Sequence, residues 1–299
     1  MSLMLLGILN AQAGGAAGLW VAAGSGGYAS TSPDAITWTG YYGPSAIWPD
    51  YTSMRDVVYG DSGFALVGDT GKIRTSSDGI TWTSRTSGFG TSTIRAVTFG
   101  DGLYVAVGDS GNLSTSTDAI TWTSRTSSFG TTRIRSAGYG NGLYLAGAED
   151  GLLSTSTNGI TWTARTTGFS VGDINGVAYG DSLYVAVAVD GQLRTSTNGT
   201  SWTARTSQFG ADNIEGIAYG DALWVAVGRS GKLSTSTNGT SWTSRTSGFG
   251  SSIILNAIYA DGLWVIGGYS NKLSTSPDAI TWTARTSNIG TNVNGIAFG

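Results

Sequence analysis

Short apolar runs alternate along this chain with clusters of Gly, Asp and Asn, and the alternation recurs at a fixed spacing. In residues 94–125, Ile94 to Gly100 reads as a strand and Asp101-Gly102 as a tight turn. Leu103 to Gly108 reads as a second strand, apolar on both faces, followed by a turn at Asp109-Ser110-Gly111. Asn112 to Ser116 is a third strand, Asp118-Ala119 a third turn, and Ile120 to Arg125 a fourth strand. β-Branched and aromatic residues fill the runs while turn formers fill the gaps, and no 3.6-residue stripe is long enough for a helix. In the fourth strand Ile120 and Trp122 are expected to share one face, with Thr121, Thr123 and Arg125 on the other. A strand apolar on both faces must be covered on both. The small residues Ala106, Ala186 and Ala226 are therefore expected where the sheets converge.

The unit repeats. Tryptophan marks it at Trp38, Trp82, Trp122, Trp162, Trp202, Trp242 and Trp282; after a first interval of 44 residues every interval is 40. That is the period of a four-stranded propeller blade. Leu19 to Gly24 matches the second strand of a unit whose first strand is missing, and Val293 to Gly299 matches a first strand with nothing after it. The reading is an all-β, seven-bladed propeller of four-stranded antiparallel blades, closed by a C-terminal strand that completes the first blade and removes exposed edges. It divides the chain into an apolar N-terminal arm, 1–18, and a propeller, 19–299. The tryptophans are expected to pack between blades.

Charge is sparse, 16 basic against 19 acidic residues for a net −3, which disfavours a nucleic-acid partner. Cysteine and histidine are both absent. That removes disulfides, thiolate chemistry, the usual proton shuttle and the commonest transition-metal ligand, so neither cofactor nor metal is expected. No apolar run approaches the ~18–20 residues of a membrane span. The N-terminus has a short apolar core and Ala11-Gln12-Ala13, which mimics a signal-peptidase site, but it lacks the basic segment of a secretory signal.

The turn Thr115-Ser-Thr-Asp-Ala-Ile-Thr-Trp122 resembles the Asp-box of sialidase-type propellers, Ser-x-Asp-x-Gly-x-Thr-Trp, with one residue fewer between Asp and Trp. Asp34, Asp78, Asp118, Asn158, Asn198, Asn238 and Asp278 are expected to bond nearby backbone amides rather than bind calcium. The tandem units look like propeller repeats of bacterial and tailed-phage proteins. The opening Met1-Ser-Leu-Met-Leu-Leu-Gly-Ile-Leu-Asn-Ala-Gln-Ala13 resembles that of many tailed-phage virion proteins. This resemblance implies an arm that docks on a neighbouring virion protein through Leu3, Met4, Leu5, Leu6, Ile8 and Leu9.

The sialidase comparison implies an arginine trio gripping a carboxylate. Arg85, Arg125, Arg165, Arg205, Arg245 and Arg285 recur on the fourth strand, ~14 Å beyond the innermost by strand spacing, where they cannot converge on one ligand. They are expected to find local carbonyls or carboxylates. A Ser or Thr nucleophile lacks a His base. Glycoside hydrolysis by loop carboxylates stays open, with Glu149-Asp150 the only adjacent acidic pair and expected to be a solvated turn.

Between units the strands look nearly constant, while two loops vary and emerge on one face. They supply candidate binding residues Arg133, Asp173, Asp212, Arg229 and Tyr269. The longer exit loop of the first blade adds Tyr41, Tyr42, Trp48 and Tyr51, which suit a sugar or a protein partner. The expected function is a non-enzymatic binding or structural propeller of a tailed-phage virion. Its partners would be other virion proteins and a host glycan or surface receptor, with no nucleic acid and no membrane insertion. The alternative is a secreted or surface lectin-like bacterial propeller, and behind it a sialidase-like glycoside hydrolase.

Overall fold

A computed structural model describes residues 18–41, 51–169 and 172–299. They form seven four-stranded antiparallel sheets, six built from consecutive strands and one closing the ring. In that first blade the strand Val293–Phe298 pairs with Trp20–Gly24, which continues to Ala29–Ser32 and Thr39–Tyr41. The register sets Trp20 opposite Phe298, Val21 opposite Ala297 and Ala22 opposite Ile296. The Trp20 and Phe298 rings lie 4.9 Å apart, and Leu19 and Gly299 exchange two backbone hydrogen bonds. The ring closes as expected. The arm residues Leu3, Met4, Leu5, Leu6, Ile8 and Leu9 lie outside the described residues, as do Tyr42 and Trp48.

Blade 3 shows how the unit is built: inner strand Ile94–Gly100, second strand Leu103–Gly108, third strand Leu113–Ser116, outer strand Thr123–Arg125. From Tyr104 to Gly108 the second strand is completely buried, because neighbouring sheets cover both of its faces. Ala106, Ala186 and Ala226 are fully buried there, but they are not the residues nearest the axis. The channel is lined by the inner strands, through Val57, Val97, Ala137, Val177, Ile217 and their counterparts.

The outer strand begins later than its sequence suggests, at Thr123, and Ile120 belongs to the preceding turn with half its surface exposed. The reason is Asp118. Its Oδ1 accepts hydrogen bonds from Ser116 Oγ at 2.9 Å, Ile120 N at 2.8 Å and Thr121 N at 2.7 Å, curling the chain before it can pair. Trp122 therefore shares no strand face with Ile120. Its Nε1 donates to Ala119 O at 3.0 Å, and its ring packs among Val58, Ala65 and Ile73 of blade 2 and Tyr104 of blade 3. The same bonding recurs at Asp34, Asp78, Asn158, Asn198, Asn238 and Asp278. Each of the recurring outer arginines donates from Nε to a threonine hydroxyl of the third strand, Arg125 to Thr115 at 2.9 Å for instance. A hydroxyl, not the expected carbonyl or carboxylate, is their partner.

One irregularity recurs in every inner strand. Ile94 pairs with Gly108 and Ala96 with Val107, which leaves Arg95 without a partner in the register. The corresponding bulges leave out Arg55, Arg135, Asn175, Glu215, Leu255 and Asn294. A bulge re-aims the extra side chain and bends its strand.

Candidate functional site

These seven bulged residues converge. Arg55, Arg95, Arg135, Asn175, Glu215, Leu255 and Asn294, one from each blade, line a cavity of about 180 Å3 at one mouth of the central channel. Deeper in, the channel is mostly small and apolar, with Asp56 as its one acidic lining residue.

The arginines are held from outside. After each second strand of blades 2–4 the chain makes a one-turn 3-10 helix, Asp69–Gly71, Asp109–Gly111 and Glu149–Gly151. The first residue of each is an acid that faces the bulge. Arg55 donates from Nε and Nη2 to the two Asp69 carboxylate oxygens at 2.7 and 3.0 Å, and Arg95 does the same to Asp109 at 2.6 and 3.2 Å. Arg135 donates from Nε to Asn175 Oδ1 at 3.0 Å, and its Nη1 lies 3.2 Å from Asp173 Oδ2 and 3.7 Å from Glu149 Oε1. Glu215 accepts from Arg229 Nε at 2.9 Å. Burial alone would raise the Asp109 carboxyl, but its bonds to Arg95 and Arg133 outweigh that and hold it below the usual range. The hydrogen bond that Arg229 donates to Glu215 is the main reason that its guanidinium is held above its ordinary value.

Asp56 behaves differently. It sits next to the ring, half-buried in the channel lining, and burial pushes its carboxyl up to about 7. Its oxygens accept from Val57 N at 2.9 Å and from Val97 N on the next blade at 3.0 Å, which offsets only part of that cost. Among the described residues no group of three or more acidic residues is placed to hold a metal ion.

The two variable loops do emerge on one face, joined by backbone bonds such as Asp109 N to Thr93 O at 2.9 Å and Glu149 N to Arg133 O at 3.1 Å. Arg133 bridges Asp109 at 2.7 Å and Glu149 at 2.6 Å, so Glu149 is an ion-pair partner rather than part of a solvated turn. Asp173 joins the same network through Arg135. Asp212 pairs with Lys232 at 2.7 Å, and Arg229 with Glu215. Tyr269 is exposed on the same type of turn in blade 7. Tyr41 and Tyr51 stand apart on blade 1, Tyr41 at 3.4 Å from the Thr31 hydroxyl and Tyr51 edge-on to Tyr28 at 6.4 Å. The structure thus joins Arg133, Asp173 and Arg229 to the ring network and leaves the tyrosines outside it.

The ring is absent from the residues that the sequence singles out, because the variable loops draw attention away from the inner strands. The signal was present one residue into each inner strand, at Met54-Arg55, Ile94-Arg95, Ile134-Arg135, Ile174-Asn175, Ile214-Glu215, Ile254-Leu255 and Val293-Asn294. An apolar residue is kept there and its follower changes from unit to unit, which a constant strand does not explain.

Fold and ring together define a closed seven-bladed propeller with a polar site at one mouth of its axis. Residues 32–179 match the family model described as the DUF6242 beta propeller domain. No curated protein matches the sequence. Among solved structures the chain is similar to YCF48 bound to D1 peptide, at 18% identity over 81% of this chain and 84% of that one, with a TM-score of 0.64. It is similar to YCF48 from Cyanidioschyzon merolae, at 18% identity over 80% and 87%, TM-score 0.62. A selenomethionine-substituted virginiamycin B lyase from Staphylococcus aureus aligns at 12% identity over 78% and 84%, TM-score 0.71. At such identities the likeness establishes the propeller and nothing narrower.

Proposed function

We propose that this chain is a non-catalytic binding propeller that takes a segment of a polypeptide partner at the ringed mouth of its channel. The observation that carries this is the convergence of seven side chains, different from blade to blade within a repeated frame, on one open cavity. A propeller of similar fold, YCF48, was solved with a D1 peptide, which supports a polypeptide as ligand. The virginiamycin B lyase shares the fold, so the non-catalytic reading rests on the site. The chain has no His or Cys, and the acids around the mouth are tied to guanidinium groups, except Asp56, whose oxygens accept from the Val57 and Val97 amides.

The partner experiment is a selection of random peptides on the full-length protein, repeated with Leu255→Trp to fill the mouth. Binders that ignore the tryptophan refute the ring as the site, and turnover in a broad glycosidase and lyase screen refutes the non-catalytic reading. A place in a tailed-phage virion is supported by the resemblance of residues 1–13 and predicts that deleting residues 2–13 releases a folded propeller from particles. Full incorporation of the truncated protein would refute that placement. Exposed Tyr51 against Tyr28 favours the second reading, a glycan-binding propeller, which a glycan array with Tyr51→Ala as control tests.

A further inference from the structure

We infer that the arc of the ring formed by Arg55, Arg95 and Arg135 is a carboxylate-binding site that holds a free carboxylate of the polypeptide partner. This rests on the binding reading above and adds the chemistry of what is bound.

Three facts of placement carry it. First, the three arginines stand on consecutive blades at the same bulge, so their head groups share one side of one cavity. The lining holds a single carboxylate, Glu215, already engaged by Arg229 at 2.9 Å. Second, Asp69, Asp109, Glu149 and Asp173 do not line that cavity. They grip the guanidinium groups from outside it. The side-on forks on Asp69 and Asp109 use Nε and Nη2 of Arg55 and Arg95, and a guanidinium has five N–H donors. Among the described residues the Nη1 groups of Arg55 and Arg95 bond to no protein group. Each arginine is therefore fixed in orientation with a donor edge unspent, which lowers the entropy lost on binding an anion. Third, the outer arginines, equally periodic, each bond a threonine of their own blade and are spread around the rim. Converging arginines are a property of the bulge position, not of the repeat.

The charge balance selects the kind of anion. Arg55, Arg95, Arg133 and Arg135 are matched one for one by Asp69, Asp109, Glu149 and Asp173. Attraction by the arginines and repulsion by the acids both double for a dianion such as phosphate and largely cancel, while its desolvation cost rises more steeply, so the site suits a planar monoanion held by hydrogen bonds. The cavity, at about 180 Å3, is close in size to an engineered cavity of ~150 Å3 that holds benzene. It admits the end or one side chain of a peptide and not a folded domain.

The test is a titration of the full-length protein, followed by the arginine side-chain NMR signals. The probes are N-acetyl-dialanine as free acid, the same peptide as its amide, and N-acetyl-glutamate amide, which separate a chain terminus from a side-chain carboxylate. The expected result is saturable movement of the Arg55, Arg95 and Arg135 signals with a carboxylate probe, none with the neutral amide, and none at Arg85 or Arg125. Arg95→Gln, its fold checked by thermal melting, should weaken the carboxylate probe about tenfold or more, the loss of one charge-assisted bond. Arg85→Gln should leave it unchanged. Equal response to acid and amide, equal response of the outer arginines, or an unaffected Arg95→Gln protein overturns the inference. If those results come while selected peptides still depend on Leu255, the carboxylate claim falls and the binding reading stands; if no peptide binds, both fall.

Discussion

Gly111 and Gly130 offer a clean measurement of how the ring face is packed. Both have positive φ, +66° and +60°, so replacing either by alanine incurs the same kind of left-handed strain, ~1–2 kcal/mol, partly offset by ~0.4–1 kcal/mol from a stiffer unfolded chain. They differ in space. A Cβ on Gly130 meets nothing within 4 Å, whereas one on Gly111 would lie 2.0 Å from the Gly130 carbonyl oxygen. Backbone, not a flexible side chain, has to move, which adds ~1–3 kcal/mol or more. Gly130→Ala should thus cost about 1 kcal/mol and Gly111→Ala about 2–4 kcal/mol. Unfolding entropy of about 2.1 cal/mol/K per residue over 299 residues gives ~0.6 kcal/mol/K. The expected drops in Tm are therefore roughly 2 °C and roughly 3–7 °C by calorimetry. Gly111 also ends the turn begun by Asp109, which holds Arg95, so only its variant should disturb the Arg95 side-chain NMR signal. Equal melting temperatures for the two variants would refute the packing argument.

Other expectations follow from individual bonds. Tyr104 Oη donates to Gly63 O at 2.9 Å and accepts from Ser62 N at 3.1 Å, stitching blade 3 to blade 2. Tyr104→Phe removes both bonds between the blades and should cost about 1–3 kcal/mol in chemical denaturation; no change would show that the two blades are not joined there. Trp162 donates its indole N–H to Gly159 O at 3.0 Å, while the buried Trp202 Nε1 has no partner, so Trp162→Phe should cost about 0.5–1.5 kcal/mol more than Trp202→Phe. Asp56, raised from 3.8 to about 7, keeps its proton in the folded state where the unfolded chain has lost it. Stability should therefore fall as pH rises from about 4 to about 7, and Asp56→Asn should flatten that slope in a series of melts. Asp118, lowered to about 2 chiefly by the Thr121 and Ile120 amides, acts in the other direction and in another window: its contribution is present above 3.8 and lost only as pH falls toward 2. Deleting residues 293–299 should expose one edge of Trp20–Gly24 and speed amide exchange at Val21 and Ala23, whose amides face the C-terminal strand; unchanged protection would contradict ring closure.

Much of the fold was legible because propellers write their frame in large, periodic signals. Trp38 through Trp282 set the blade count, and the half-units at Leu19 and Val293 implied the closure seen in the register of Trp20 with Phe298. The misplaced start of the outer strand has a local cause. Ile120 is β-branched and sits two residues from Trp122, which mimics strand alternation, but Asp118 spends the Ile120 and Thr121 amides on its own carboxylate. The site was harder to see for a related reason. Arg95 follows an apolar residue in a strand-like run, and alternation alone would make it a solvent-facing position. Only the register reveals that it opposes no residue and turns inward to the axis. The acid that fixes it, Asp109, lies 14 residues away, a distance in sequence that says nothing until the second strand has folded back.

The bulge also explains how so repetitive a chain can hold an asymmetric site. Positions paired on both sides are bound by packing against two neighbours, and substitution there disturbs a whole interface, as the complete burial of Val105, Ala106 and Val107 shows. The extra residue of each bulge opposes no partner in the register and lies at the solvent-open end of the channel, Leu255 there among polar neighbours. It can therefore change without cost to the frame: arginine on blades 2–4, amide, acid and leucine on the others. Seven such positions around one axis allow charge to be placed on a chosen arc, and the acids on the neighbouring turns then decide whether that arc holds its shape. On this logic, exchanging Arg95 with Asn175 should preserve the melting temperature far better than exchanging Val105 with Gly147, because only the second pair belongs to the frame. If the two exchanges destabilise equally, the separation of frame from site is wrong.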